Sequence, residues 1–195
     1  MKAHLHMPEI RFGAYRLRTI KTSDWMDMYE YGSDPVVTEH LNWGPFERPE
    51  DAKRAIKGIF LPRPKNGLPV GYAIEDTFNR KMIGTIDIHS PSRDKRSVEI
   101  GFVLHRAYWN KGIMTEALTR MLEVAFGHLG YRTVRIRHLV NNEASARVIK
   151  KAGFNYVSTE PFVIEKQGVR TTGQVRVYTL DKEEYHGHKQ SERNI

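Results

Sequence analysis

A strand–helix–strand run in the second half of the 195-residue chain constrains the fold most. The apolar stretch VEIGFVLH at 98–105 leads into the loop YWNKG at 108–112. Beyond the loop, apolar residues recur at three- and four-residue spacing up to Leu129, as on one face of a helix. Another apolar stretch, TVRIRHLV, occupies 133–140. Because strands joined through a helix run parallel, we expect these two strands to lie side by side in one sheet.

Periodicity and turn residues predict further elements, in the overall order β-α-α-β-β-β-α-β-α-β-β. Short turns between the three strands before the crossover predict an antiparallel meander. We expect a long hairpin loop at 165–173 between the last two strands, and a polar tail at 181–195 that frays. The sequence therefore predicts a single α/β (α+β) domain over 1–195, with its core at about 11–180. Its sheet is mixed and mostly antiparallel, with helices on both faces and a central parallel strand pair.

Composition excludes several kinds of chemistry. The chain has no cysteine, which removes disulfides, thiolate catalysis and Cys-based zinc sites. No apolar run approaches the roughly 18 residues of a membrane span, and the first residues lack the apolar region of a signal peptide. Two H-x-H pairs, His4/His6 and His186/His188, lie in the terminal segments, where we expect no metal site. We therefore expect a cytoplasmic protein with no metal and no membrane partner.

The net charge of +8 allows three interpretations. A basic surface could bind nucleic acid or a ribonucleoprotein, or it could steer a small anionic ligand. It could also serve solubility alone. The basic residues are spread along the chain and do not form the dense blocks of an RNA-binding arm, so we do not expect a nucleic-acid substrate.

The loop around Lys111 and Gly112 is the first candidate binding site. It joins the end of a strand to the start of a helix without an ordinary Ser, Thr, Asp or Asn cap. Free backbone N–H groups and the positive end of a helix form a ready anion site, and glycine lets a phosphate approach the backbone. The chain contains neither a Walker A nor a G-x-G-x-x-G motif. An ordinary tight turn remains the alternative for this loop taken alone.

A second helix start strengthens the prediction of a phosphate site. The segment NNEASARVIKKAGF at 141–154 begins where the next parallel strand ends. Asn141 or Asn142 can cap this helix, and Ser145 lies one turn further. Two helix N-termini should then converge on one cleft, across which an elongated phosphate-bearing ligand could lie.

Three separated segments together resemble the GNAT superfamily of acyl-CoA-dependent N-acyltransferases, and within it the RimJ/RimL type. They are LRTIKTSD at 17–24, EIGFVLHRAYWNKGIMTEAL at 99–118 and NNEASARVIKKAGF. Their order and spacing fit over about residues 11–180. The resemblance implies a GNAT fold with acetyl-CoA as cosubstrate, and an acetyltransferase acting on a primary amine.

The resemblance also implies which residues bind the cofactor. Here the family's pyrophosphate loop has Trp109 at its first position, keeps Gly112 and ends on Met114, where a smaller residue is commoner. The strand before the loop would pair with the pantetheine arm through a bulge permitted by Gly101. The implied cofactor-binding residues are Phe102, Val103, Leu104, Trp109, Asn110, Lys111, Gly112, Ile113, Met114, Thr115, Asn142 and Ser145.

The acid and the base are less well determined. Many family members carry a tyrosine as acid in the last helix, but Val148 and Ile149 stand there, so Ser145 is the nearest hydroxyl. The thiolate could also leave unprotonated and take its proton from water. Glu99 is the first candidate base, with Asp87 and His89 as runners-up. A sheet-face carboxylate in a salt bridge is the alternative for Glu99, and a strand N–H near Phe102 or Val103 could stabilise the oxyanion.

The acceptor is the least determined part. Trp43, in the loop LNWGPF, and Asp87 are candidate acceptor-binding residues, although Trp43 could equally anchor its loop. The family's acceptor specificity falls on about 24–69 and 160–174 of this chain. We expect a protein N-terminus, such as that of a ribosomal protein, or a small amine such as a polyamine, amino sugar or antibiotic. The alternative is a non-catalytic CoA-binding module that docks on RNA or ribosomes, and a homodimer is left open.

Overall fold

A computed structural model describes residues 7–94 and 96–193. His4 and His6 of the first H-x-H pair, and the side chain of His188 of the second, lie outside the described residues. The sheet contains eight strands: β1 Ile10–Phe12, β2 Tyr15–Thr19, β3 Tyr72–Asp76, β4 Lys81–His89, β5 Ser97–Leu104, β6 Thr133–Leu139, β7 Asn155–Lys166 and β8 Val169–Asp181. The helices are α1 Trp25–Gly32, α2 Pro35–Thr38, α3 Pro49–Ala55, α4 Ile113–Glu123, α5 Glu143–Lys151 and α6 Lys182–Arg193.

The sheet order is β1-β2-β3-β4-β5-β6-β8-β7. Strands β5 and β6 pair in parallel, and the other recorded pairs between the described strands are antiparallel. This confirms the mixed sheet, the meander β3–β5 and the parallel pair joined by α4. A right-handed helical crossover is the only connection that packs readily onto such a pair.

Two apolar clusters cover the two faces of the sheet. Helices α4 and α5 bury one face through residues such as Ala117, Leu118 and Ile149. Helix α1 and the segment after α3 bury the other face through Met28, Tyr31 and Ile56. Side chains alternate along β5, so that strand contributes to both clusters and lies at the centre of the molecule.

Two predicted irregular segments are regular structure, and both predictions were wrong. The expected loop 165–173 is a continuation of β7 and β8, which turn tightly at Gln167 and Gly168. Both residues have positive φ, 50° and 77°, which suits a two-residue hairpin turn. The expected frayed tail forms α6, because Tyr185 is buried and its ring centroid lies 5.1 Å from that of Phe126.

The predicted bulge at Gly101 is absent from the β4–β5 pairing. The register runs without a shift from Gly84–Leu104 to His89–Glu99. A Cβ built on Gly101 would come within 3.0 Å of His89 Nε2, so the glycine makes room for a neighbouring side chain. The expectation of a bulge at this glycine was therefore wrong for this strand pair.

A buried charge network ties the start of the chain to the sheet. Glu75 on β3 accepts hydrogen bonds from Arg16 Nη2, at 2.6 Å, and from Arg18 Nε. Arg18 also binds Asp24 through both terminal nitrogens, at 2.8 and 2.9 Å. Burial would raise the pKa of Glu75, but the two guanidinium groups outweigh burial and hold it below its ordinary value of 4.5.

We predict that Glu75→Gln lowers the free energy of unfolding by about 3 kcal/mol at neutral pH, because it leaves Arg18 incompletely paired in the interior. A carboxylate with a depressed folded pKa stabilises the protein above its unfolded pKa, and this contribution disappears as the pH falls through the folded pKa. The difference between wild type and variant should therefore shrink in acid. Denaturant unfolding across this pH range measures it.

The matched control is Glu9→Gln, which removes an exposed carboxylate 3.1 Å from the same Arg16. An exposed ion pair contributes about 0–1 kcal/mol, so this control should unfold almost as the wild type does. Equal effects of the two variants at neutral pH would contradict a stabilising role for the buried network.

Candidate active site

The site begins where β5 and β6 separate. Their recorded pairing covers Ser97–Thr133, Val98–Val134 and Glu99–Arg135, although both strands continue beyond these residues. Beyond this point, residues of both strands line the cavities described below. The opening therefore exposes one backbone edge of β5 that no neighbouring strand covers.

Alternation of hydrogen bonding decides which amides face this opening. His105 N–H donates to Ile83 O on β4 at 2.7 Å. In an antiparallel pair the backbone groups of successive residues point to opposite sides, so those of Val103 also face β4. The N–H and C=O of Phe102 face the opening instead. Of the two amides proposed from the sequence as oxyanion donors, the geometry favours Phe102.

The loop after β5 presents a helix N-terminus to a groove. Gly112 is the N-cap residue of α4 and has φ 75°. No side chain at this cap accepts a hydrogen bond from the first amides of the helix. The first recorded helical bond runs from Glu116 N–H to Gly112 O at 3.1 Å. The N–H groups of Ile113, Met114 and Thr115 precede it and have no carbonyl one turn earlier in the helix.

Side chains of this loop point in different directions. Ile113 and Met114 are buried in the α4 core, so only their backbone can meet a ligand in the groove. Trp109 Nε1 donates to Leu104 O at 2.7 Å, which fastens the loop to the end of β5. Lys111 Nζ lies 5.3 Å from the ring centroid of Tyr108. Asn110 has φ 59°, which asparagine tolerates and which helps turn the chain.

Helix α5 brings the second N-terminus to the same groove. Asn142 Oδ1 accepts a hydrogen bond from Ser145 N–H at 3.0 Å, which confirms Asn142 as the cap. Both loops line one cavity of about 570 Å³, which we call the cofactor groove. Their meeting in one cavity is expected from the convergence of the two strand ends. Arg147 and Lys151 also line it, and our sequence reasoning missed them. Their four-residue spacing on α5 was the available signal.

A second cavity, of about 490 Å³, lies on the α1–α3 face of the sheet. It contains Trp43, Asp87 and Glu99, the three residues predicted to serve the acceptor or its deprotonation. The two cavities share a boundary formed by His40, Leu41, Phe102, Val103, Asn142 and Ser145. The structure therefore brings together all the residues predicted for cofactor and acceptor around one junction. His40 and Leu41 were not predicted.

The floor of the second cavity carries two ion pairs. Asp87 lies opposite Gly101 and His89 lies opposite Glu99 in the β4–β5 register, so Asp87 and Glu99 are diagonal neighbours on one face. Asp87 Oδ1 is 2.7 Å from Arg63 Nη1, and Glu99 Oε1 accepts a 2.8 Å hydrogen bond from Arg137 Nε. Glu99 is thus in a salt bridge, as the alternative for this residue stated. The salt bridge does not exclude a catalytic role for the same carboxylate.

Aromatic rings form the wall above this floor. Trp43 and Phe46 stack with centroids 5.0 Å apart and an interplanar angle of 23°. The guanidinium of Arg137 lies 5.2 Å from the ring centroid of Phe162, and that of Arg63 lies 4.7 Å from that of Phe60. Guanidinium groups held over rings keep a defined orientation toward the cavity.

The tip of the β7–β8 hairpin is hydrogen-bonded to both ends of the loop that carries Trp43. Lys166 Nζ donates to Thr38 O at 2.5 Å and to Glu39 O at 3.1 Å. Gln167 Nε2 donates to Glu47 Oε1 at 3.1 Å. Burial lowers the pKa of Lys166. The hairpin is thus fastened to the loop that carries Trp43.

Two further ionisable groups lie at the cavity. Burial lowers the pKa of His138, so its imidazole is neutral at neutral pH. Its Nδ1 is 2.8 Å from Leu139 O, which can only accept, so Nδ1 carries the proton. Burial raises the pKa of Tyr31 far above its ordinary value, which keeps this phenol protonated.

Comparison with known proteins agrees with this geometry. The sequence model described as "Acetyltransferase (GNAT) domain" matches residues 15–155. The chain belongs to the GNAT acetyltransferase family. It is therefore an acyltransferase, and its fold is the GNAT fold. In a curated relative from Bacillus subtilis (strain 168), "Uncharacterized N-acetyltransferase YoaA", 29% of 139 aligned residues are identical, covering 71% of this chain and 77% of the relative.

Two solved GNAT structures share the fold and contain coenzyme A. One is "RimL- Ribosomal L7/L12 alpha-N-protein acetyltransferase", with a TM-score of 0.78 and 18% identity over 91% of this chain and 99% of that chain. The other is the spermidine N-acetyltransferase from Vibrio cholerae with CoA and spermine, with a TM-score of 0.73 and 15% identity over 89% of this chain and 98% of that chain. Similar GNAT folds therefore accept chemically different amines.

The described part of the chain shows neither a metal-binding cluster nor a helix suited to span a membrane. Within 7–94 and 96–193, no group of three or more histidine and acidic side chains is placed to hold a metal ion. No helix in that part of the chain is both long and apolar enough to cross a membrane.

Proposed function

We propose that this protein transfers the acetyl group of acetyl-CoA to a primary amine by direct attack of the amine on the thioester. The observation that supports this most is the meeting of two cavities at the unpaired edge of β5. One cavity offers helix N-termini suited to phosphate, and the other offers carboxylates suited to an ammonium group. Reactants held on either side of Phe102 would meet there.

The cofactor groove fits acetyl-CoA in charge and shape. A Cβ built on Gly112 meets nothing within 4 Å, so the space in front of the α4 N-terminus is open to a pyrophosphate. Lys111, Arg147 and Lys151 add positive charge around the groove. The uncovered backbone of Phe102 can pair with the amide groups of the pantetheine arm, as an added strand would. Asn142 uses its side-chain oxygen as a cap and keeps its NH₂ group for the ligand.

The reaction needs a proton acceptor, an oxyanion donor and a proton for the leaving group. We assign Glu99 as the base that takes a proton from the acceptor ammonium, with Asp87 and His89 beside it as alternatives. The amine nitrogen then forms a bond to the thioester carbonyl carbon, the C–S bond breaks, and CoA leaves as a thiolate. Phe102 N–H stabilises the developing oxyanion. The thiolate takes a proton from Ser145 or from water, and the second proton that the nitrogen loses as the amide forms replaces it.

For the acceptor, the geometry favours the small-amine alternative over a protein N-terminus. The hairpin tip and the Trp43 loop are hydrogen-bonded to each other beside the second cavity, which we call the acceptor cavity. This contact restricts entry of a folded protein on that side.

A placement in the RimJ/RimL branch remains a proposal that rests on the loop with Trp109 and on the fold shared with RimL. A non-catalytic CoA-binding module remains the second candidate.

Coenzyme A thiol release over an amine panel tests the proposed function. We expect acetyl-CoA to raise the melting temperature and at least one small amine to release the thiol above the hydrolysis background. Absence of a thermal shift at high ligand excess would contradict the cofactor assignment. A thermal shift without turnover, together with tight and salt-sensitive RNA binding, would favour the non-catalytic module.

The contact between the hairpin and the Trp43 loop gives a separate prediction. Replacing Lys166 by Met should raise the KM for the amine about tenfold, because the segment that leads into the Trp43 loop loses two charge-assisted hydrogen bonds. The Kd for acetyl-CoA should change less, although Glu39 lines the cofactor groove. Steady-state kinetics and calorimetry measure the two constants. Arg170→Met, which removes an exposed cation from the same hairpin, is the control. Equal effects on both constants would show a general loss of structure.

A further inference from the structure

The acceptor cavity is balanced in charge. Its ionised side chains form two pairs, Arg63 with Asp87 and Arg137 with Glu99. A polycation with several ammonium groups requires a surplus of carboxylates for pairing, since an unpaired charge in a cavity is costly. The described lining offers none beyond these two, and both are already partnered by arginine. The cavity is therefore poorly matched to a polyamine.

The Arg63–Asp87 pair leaves hydrogen-bonding capacity unused. Both residues are buried, with 9% and 7% exposure overall, and their side chains keep 11% and 10% of their surface open. Although Arg63 Nη1 and Asp87 Oδ1 are 2.7 Å apart, neither atom makes a hydrogen bond of normal geometry among the described residues. These two atoms are covered by protein, so a ligand in the cavity meets the part of each side chain that stays open. A ligand that contacts both side chains must offer an acceptor to Arg63 and a donor to Asp87.

The distance between Arg63 and Asp87 indicates how far apart the opposite charges of the ligand should lie. The opposite charges of the pair are only 2.7 Å apart, so a complementary ligand carries its own opposite charges close together. An α-amino acid has its ammonium and its carboxylate on one carbon. Laid alongside the pair, it places its carboxylate on Arg63 and its ammonium on Asp87, on the face of the sheet that also carries Glu99.

The apolar part of the ligand follows from the wall. The stacked pair Trp43 and Phe46 stands on the same cavity as Phe162. A flat apolar side chain would pack against these rings, whereas a hydrophilic sugar would leave them poorly covered. The volume of about 490 Å³ is in the range of small-molecule sites.

Building on the proposed N-acetyltransferase activity, we propose that the acceptor is a small zwitterion: an amine that also bears a carboxylate on the neighbouring carbon and an apolar, preferably aromatic, body. Arg63 binds the carboxylate and thereby determines specificity. Asp87 and Glu99 receive the ammonium. The acetyl group goes to its nitrogen, which loses two protons. The first passes to a carboxylate of the floor, and the second balances the proton that the leaving CoA thiolate takes up.

The test compares four acceptors with acetyl-CoA: L-phenylalanine, phenethylamine, a tetrapeptide with N-terminal phenylalanine, and spermidine. We expect kcat/KM to be highest for phenylalanine, by about tenfold or more over phenethylamine, because only phenylalanine satisfies the buried arginine. Arg63→Lys, which keeps a positive charge beside Asp87 but loses the planar fork, should reduce this preference to near unity. The exposed Lys65→Met on the same segment should keep it.

The ratio of kcat/KM for phenylalanine to that for phenethylamine separates specificity from folding. A variant with a damaged fold lowers both values alike and leaves the ratio unchanged. Faster turnover of spermidine, of phenethylamine or of the tetrapeptide than of phenylalanine would overturn the zwitterion proposal and leave the acetyltransferase proposal standing. An unchanged preference in Arg63→Lys would overturn the role of Arg63. No thermal shift with acetyl-CoA and no thiol release with any of the four amines would overturn both proposals together.

Discussion

Replacing Glu99 by Gln is expected to lower kcat by about a hundredfold or more, with little change in the Kd for acetyl-CoA. A positioned general base contributes about 10²- to 10⁴-fold to rate, and glutamine keeps the size of the side chain while losing its basicity. Glu99 lies on the cavity floor, two residues from Gly101 on the same face of β5. Single-turnover rates at neutral and at alkaline pH, compared with wild type, measure the loss.

A matched control separates catalysis from the loss of an ion pair. Glu160 pairs with Arg135 at 2.9 Å, much as Glu99 pairs with Arg137 at 2.8 Å, but Glu160 does not line the acceptor cavity. Glu160→Gln should therefore retain nearly full activity. A Glu99→Gln rate equal to wild type at both pH values would remove Glu99 as the base. The same measurement on Asp87 and His89 variants would then identify the group that takes the proton.

Replacing Gly112 by Asp is expected to weaken acetyl-CoA binding about a hundredfold or more, which corresponds to about 2.7 kcal/mol. Aspartate is one of the few residues that tolerates the positive φ of 75° found there. Its carboxylate would enter the open space before the α4 N-terminus and repel a pyrophosphate. Calorimetry with coenzyme A measures the Kd directly.

The chain offers a close control for this variant. Gly67 has φ 74°, and a Cβ built on it also meets nothing within 4 Å, but it lies outside the cofactor groove. Gly67→Asp therefore carries the same backbone strain and the same added charge. It should lose a similar, small amount of stability and bind coenzyme A as the wild type does. Comparable losses of affinity in both variants would argue against a pyrophosphate in front of Gly112.

The parts of the fold that were predictable depend on local patterns. The helical spacing after Gly112 and the apolar stretches at 98–105 and 133–140 predict a parallel pair, because a helical crossover between two strands leaves few other arrangements. A cap at Asn141 or Asn142 was identifiable because capping uses a side chain and an amide only three residues apart, and the structure selects Asn142. The cofactor groove follows from these local features, since each of its two loops is continuous in sequence.

The errors arose where distant residues decide local structure. The segment 165–173 has loop composition, yet it is strand because β7 and β8 pair along their whole length. The segment 181–195 is polar in composition, yet Tyr185 packs on Phe126 and stabilises α6. Gly101 suggested a bulge, but its lack of a side chain makes room for His89 on the neighbouring strand β4. No pattern confined to a few neighbouring residues contains these contacts.

The acceptor cavity shows the same division most clearly. From the sequence alone came its candidate carboxylates, Glu99 and Asp87, and the general region that surrounds them. Their arginine partners, Arg63 and Arg137, lie 24 and 38 positions away in the chain, and only the tertiary structure brings them together. Local periodicity and capping thus determined the order of the elements and the parallel strand pair, and the resemblance of three segments to the GNAT superfamily implied the cofactor loop. Charge pairing between residues distant in sequence depends on long-range packing, and our proposal for the kind of amine rests on it.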